Sequence, residues 1–230
     1  MIAVTCLLAA SVLAARCSLS HAGGAHGLAD AVYEANNYVD TVLGVVLPQQ
    51  VSRANLTSAP LPGFTVGNES DAVTVRIDGG VLFGLGKQWQ RRGDCRATQW
   101  RGENITTTCH ATLDGMILIM YGVAENNDAA FIENVTLIML VKNSSARIYV
   151  TEKKQGHTVH LRLGLESLPL AGANGQNVRD IPSPSRTLAA FPREQVSLAA
   201  SQVLRGFIEN EARQGVLRHA FSLIHLPLPL

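Results

Sequence analysis

Two long runs of helical periodicity stand near either end of this chain, with strand-like sequence between them. That layout constrains the fold more than any single motif. Leu28, Val32, Ala35, Val39, Val42 and Val46 follow steps of four and three, which predicts a helix over 28–47 that ends at Pro48. Towards the other end, Val196, Ala200, Val203 and Phe207 make one stripe. Ile208, Ala212, Val216, Ala220 and Ile224 continue it on a shifted face, so a helix is predicted over 192–226, with Gly206 and Gly215 as points of curvature or close approach. A sheet must bury its apolar face against something, and these two helices carry the long apolar stripes available for it.

The sequence between them alternates. Val73, Val75 and Ile77 are apolar between Thr74, Arg76 and Asp78. Ile105, Thr107, Cys109, Ala111 and Leu113 mark a second strand, and Val159, Leu161, Leu163 and Leu165 a later one. Asp78-Gly79-Gly80 reads as a bulge. Asp114-Gly115, Asn126-Asn127-Asp128, Asn143-Ser144-Ser145 and Lys153–Gly156 read as tight turns, which predicts neighbouring antiparallel strands in a meander over 72–167. Residues 47–67, with Pro48, Pro60, Pro62, Gly63 and Gly67, read as an irregular link, and residues 168–191 as a connector. The expectation is an α+β fold in one domain, residues 23–230. A curved antiparallel sheet wraps around the long C-terminal amphipathic helix, and the N-terminal helix covers part of the opening.

Residues 1–22 read as a secretory signal peptide. The apolar stretch from Ile2 to Ala15 is too short to span a bilayer, and Ser20-His21-Ala22 gives a small-x-small cleavage site. The stretch lacks the usual preceding Lys or Arg. Five glycosylation sequons, at Asn55, Asn68, Asn104, Asn134 and Asn143, agree with export. Cleavage removes Cys6 and Cys17 and leaves Cys95 and Cys109, a pair expected to form one disulfide in an oxidising compartment. The expectation is a secreted, extracellular glycoprotein without a transmembrane segment. A net charge of +1, with 16% charged residues, is no footprint for nucleic acid or an anionic membrane surface.

No catalytic residues, cofactor or metal site can be assembled from the sequence. His157 and His160 point to opposite faces of a strand, and His219 and His225 lie far apart around a helix. His26, near the predicted new N-terminus, is the remaining weak candidate for copper. The Gly-rich stretch Gly79–Lys87 lacks the spacing and the Ser or Thr of a phosphate loop, and no H-E-x-x-H or G-x-S-x-G pattern occurs. Trp89 and Trp100 flank the cysteine region and suit a wet–dry boundary or partial burial. Arg92, Gly93 and Asp94 form an RGD tripeptide beside Cys95. The alternative function it suggests is a secreted ligand for integrins or another host or cell-surface protein. The plainer reading is a strand-to-turn junction.

Gly84-Leu85-Gly86-Lys87-Gln88, followed by Arg91-Arg92-Gly93-Asp94, resembles the Gly-Leu and Arg-x-Gly-Asp run of the group 7 mite allergens. These arthropod secreted proteins are related to the bactericidal/permeability-increasing and takeout-like lipid-binding superfamily. The order of elements is similar over roughly Leu28–Ile224; the Cys95–Cys109 pair and the many sequons depart from the pattern. The resemblance implies a curved sheet around a long C-terminal helix and an apolar groove. It also implies a lipid or other hydrophobic small molecule as the partner, with no catalysis. Alternation alone points the same way, because apolar area that two helices leave uncovered usually binds something. It directs Val75, Ile77, Leu118, Met120, Met139, Leu161, Leu163, Val203 and Phe207 inward as the expected walls of the groove.

Overall fold

The computed structural model describes residues 27–68, 71–126, 131–172 and 191–229. The expected signal peptide and His26 lie outside the described residues. Helix α1 occupies residues 27–53 without a break, so Pro48 does not end it. The reason is local. A π turn, Val42–Val46, precedes the final segment Leu47–Arg53, and the Leu47 amide donates to the Val42 carbonyl five residues back. A proline inside a helix lacks the N–H of an i→i−4 bond and clashes with that carbonyl; the widened turn removes the conflict.

Among the described residues ten strands follow: β1 (Ser58–Val66), β2 (Val73–Phe83), β3 (Gln90–Arg91), β4 (Gln99–Arg101), β5 (Asn104–Thr112), β6 (Ile117–Asn126), β7 (Phe131–Val141), β8 (Ser145–Lys153), β9 (Val159–Ser167) and β10 (Leu170–Gly172). Helices α2 (Arg193–Arg213) and α3 (Val216–Ser222) come after them. The fold is α+β, as expected, with an N-terminal helix and a bent C-terminal one. Strand β1 falls in the stretch that sequence marks as an irregular link. Its prolines sit on a sheet edge, where a missing N–H costs no ladder bond.

The strands form two antiparallel sheets rather than one meander. The first has the order β1-β2-β6-β7-β10; the second has the order β3-β5-β8-β9, with β4 also paired to β5. Consecutive strands β5 and β6, and again β7 and β8, therefore belong to different sheets. Asp114-Gly115 and Asn143-Ser144-Ser145 are crossings between layers, not hairpin turns. Gly115 supplies the positive φ of 92° that such a turn signal promises, but its amide donates to the Val141 carbonyl at 2.9 Å and leads the chain into the other sheet.

The two crossings are stapled together. The Asp114 carboxylate accepts from the Ser144 amide at 2.7 Å and from the Ser144 hydroxyl at 2.6 Å, and that hydroxyl oxygen accepts from the Leu113 amide at 2.7 Å. Partial burial works against the Asp114 charge. The Ser144 side-chain and backbone donors, with Thr112 and the Asn143 backbone, outweigh it and hold the carboxyl below its ordinary value. A carboxyl depressed in the folded state adds stability above its unfolded pKa, about 3.9, and loses it as pH falls through the folded value. Wild-type protein is therefore expected to weaken in urea melts below about pH 4. Asp114→Asn should be weaker at neutral pH and lose less on acidification. Equal pH slopes for the two proteins would remove the staple from the account.

The inward faces of both sheets and the stripe Val196, Ala200, Leu204, Ile208 and Ala212 of α2 form one core. Helix α2 packs on β1 and on β9, one edge strand of each sheet, and so links the two sheets. The predicted single C-terminal helix is broken at Gln214-Gly215. Glu211 explains where: its carboxylate accepts from the Val216 amide at 2.7 Å and caps α3. Around the bulge between Ile77 and Gly79, β2 is approached closely from both sides. A Cβ at Gly122 would lie 2.1 Å from the Arg76 carbonyl, and one at Gly63 would lie 2.2 Å from that of Ile77.

Candidate functional site

The nine predicted groove walls separate into two groups. Val75, Ile77, Leu118, Met120, Met139 and Leu161 point inward, as alternation indicates, and are buried in the core. Leu163, Val203 and Phe207 are half-buried at its margin, because the buried stripe of α2 runs one residue over, through Leu204 and Ile208. None of the nine lines any of three prominent clefts among the described residues. Six of the predicted walls are thus packed in the core, and three lie at its margin.

The apolar surface that sequence reasoning missed is the opposite face of the first sheet. Register aligns Phe83, Ile117, Leu140 and Ala171 in one row across β2, β6, β7 and β10. Val81, Ile119 and Ile138 make the next row, and Gly79, Tyr121 and Thr136 the third. Phe83, Ile117, Tyr121 and Ile138 are 37%, 38%, 50% and 46% exposed, and no charged residue interrupts these rows. The signal lies in the sequence: Met116–Tyr121 and Leu137–Val141 are unbroken apolar runs, which suit strands covered on both faces. Alternation at β2 and β9 hid it.

A cleft of about 640 Å³ adjoins this face at the β10 edge. Leu168, Pro169, Leu170, Ala171 and Leu198 line it beside the charged Arg193 and Glu194, and Ala171 belongs to both cleft and face. Its volume falls within the range of small-molecule sites, about 300–1,000 Å³.

The tripeptide Arg92-Gly93-Asp94 is exposed, with Gly93 at a positive φ of 69°. Helix α1 holds the segment in place. Asp40 takes a two-pronged contact from Arg91, at 2.9 and 2.7 Å, and Arg91 also donates to the Gly93 carbonyl. Asn36 donates to the Asp94 carboxylate at 2.9 Å and accepts from the Cys95 amide at 2.8 Å. Asp94 thus bonds to the helix rather than closing a turn on its own backbone. The expected disulfide, Cys95–Cys109, is present and buried. Trp89 is core, whereas Trp100 is 43% exposed on β4 with the Lys154 ammonium 5.2 Å above its ring.

His157 and His160 do not meet. His157, in the β8–β9 turn, instead meets His225, which lies beyond the end of α3, and Glu152 of β8. No local spacing announces this group, since 73 residues separate Glu152 from His225. The Glu152 carboxylate is buried. One oxygen faces Nδ1 of His225 at 2.7 Å and Nδ1 of His157 at 3.3 Å; the other accepts from the Leu226 amide at 2.7 Å. Burial opposes its charge, but the Leu226 amide and the two imidazoles outweigh that and lower its pKa.

Four sequon asparagines, Asn55, Asn68, Asn134 and Asn143, are exposed, and Asn104 is half-buried. Among the described residues no helix is long and apolar enough to cross a membrane. No protein-family model matches the chain, and no curated protein is significantly similar to it.

Proposed function

We propose that this is a secreted glycoprotein that binds a lipid or similar apolar ligand. The contact surface is the outer face of the first sheet together with the cleft at its β10 edge. The observation that carries this reading is the set of uncharged rows through Phe83, Ile117, Tyr121 and Ile138, left open to water. Surface of this kind is unfavourable unless something covers it. Burying an Ile or Phe side chain fully contributes about 1.5–3 kcal/mol, so covering the exposed part of these four contributes about 3–5 kcal/mol in all, and the adjoining cleft supplies the rest of a micromolar affinity, near 8 kcal/mol. The surface sequons and the disulfide support export.

The test uses protein secreted from eukaryotic cells and a fluorescent fatty-acid probe. Ile117→Ser with Ile138→Ser is expected to weaken probe binding at least about tenfold, a loss of about 1.4 kcal/mol. Trp100→Ser, on the other sheet, should leave it unchanged. A wild-type protein that binds no probe, or a double variant that binds as wild type, would sink the reading. A second reading, recognition by a cell-surface or host protein through Arg92-Gly93-Asp94, is favoured by the exposure of all three residues.

A further inference from the structure

We propose that Glu152, His157 and His225 hold a divalent transition-metal ion, with zinc the best match. Two imidazoles and a carboxylate are a common zinc donor set, and three protein ligands leave a fourth position open. The candidate ligand atoms all lie within 4.8 Å of one another. Around a tetrahedral zinc at about 2.1 Å from each ligand, neighbouring ligand atoms stand about 3.4 Å apart. The present separations between Glu152 and the two Nδ1 atoms, 2.7 and 3.3 Å, are both shorter than that spacing, so the exposed imidazoles would swing outward slightly to admit an ion.

The three groups divide the work. Glu152 is the fixed anchor, because its side chain is 5% exposed and its second oxygen is tied to the Leu226 amide. The imidazoles, 67% and 66% exposed with ring centroids 4.3 Å apart, are free to rotate towards an ion. His157 sits at a positive φ of 49°, where a residue with a side chain costs more than glycine, next to Gly156 at 86°. A turn needing only that backbone shape would be served by Gly or Asn. Imidazole there places a ligand beside a buried carboxylate.

Without an ion, both Nδ1–H groups can donate to the one Glu152 oxygen and satisfy it. Experiment separates the two states. Full-length protein is stripped with chelator and titrated with Co²⁺, followed by the visible bands of a low-symmetry site, and then displaced by Zn²⁺. Wild type is expected to take up one ion per chain at this site. His157→Ala and His225→Ala should each weaken Co²⁺ uptake at least about tenfold, and His160→Ala should not. Both histidines are exposed, so the variants should keep the wild-type circular dichroism. Binding should also raise the melting temperature of wild type and leave that of His157→Ala/His225→Ala unmoved. Wild-type protein without Co²⁺ bands, or a double variant that binds as tightly as wild type, would overturn the proposal. Loss confined to the two histidine variants supports it, whatever the outcome for fatty-acid binding.

Discussion

Phe221→Ala is expected to cost about 3–5 kcal/mol in urea unfolding, a large share of the stability of a domain this size. Phe221 is fully buried on the short helix α3 and packs its ring against Tyr38 of α1, with centroids 6.1 Å apart. Its carbonyl accepts from the Tyr38 hydroxyl at 3.0 Å. Burial, and then the negative charge of Glu152, push the Tyr38 pKa well up, so the hydroxyl stays a neutral donor across the usable pH range. Helix α3 has few turns of its own and takes its stability from packing on α1 and β9. Removing the ring therefore leaves a cavity where the two ends of the chain meet. Tyr38→Phe makes a useful partner variant. It keeps the ring and drops only the bond, so a smaller loss of about 1–3 kcal/mol is expected. A Phe221→Ala loss below that of Tyr38→Phe would mean that the bond, not the ring, holds the helices together.

What was legible in the sequence follows from period. The stripe from Val32 to Val46 and the alternation of Val73–Ile77 give the right elements facing the right way, because burial imposes the period directly, whereas Leu28 at the start of the stripe is exposed. The disulfide followed from counting cysteines. Sheet assignment was not legible. Asp114-Gly115 specifies a backbone shape, and the same shape serves a hairpin or a crossing between layers. Only the distant partner Ser144 decides which. Pro48 misled for a related reason: a proline forbids one hydrogen bond, and a π turn omits that bond without ending the helix. The candidate sites were hidden in two further ways. At β6 and β7 the apolar runs were visible, but alternation elsewhere suggested that one face of the sheet was enough. Glu152, His157 and His225 share no local pattern, since the chain beyond α3 must fold back onto β8 to assemble them.

Replacing Cys95 and Cys109 by Ala is expected to cost about 3 kcal/mol, the chain-entropy value for a short closed loop. The two cysteines are 14 residues apart in sequence. The effect should be large but not fatal, because the same segment has other holds. Arg91 stays clamped by Asp40, Asn36 still spans Asp94 and the residue-95 amide, and the Arg92 amide still donates to the His110 carbonyl at 2.8 Å. These bonds lie at the surface and are each worth little alone, so the covalent link supplies most of the persistence of the turn. That makes the variant a probe of the cell-surface reading. If Arg92-Gly93-Asp94 is recognised, Asp94→Ala should abolish inhibition of cell adhesion while leaving the melting temperature nearly unchanged. The double cysteine variant should lower both, since a looser turn binds with a larger ordering cost. Adhesion that neither variant alters would leave the disulfide a purely structural link between β5 and the segment after β3.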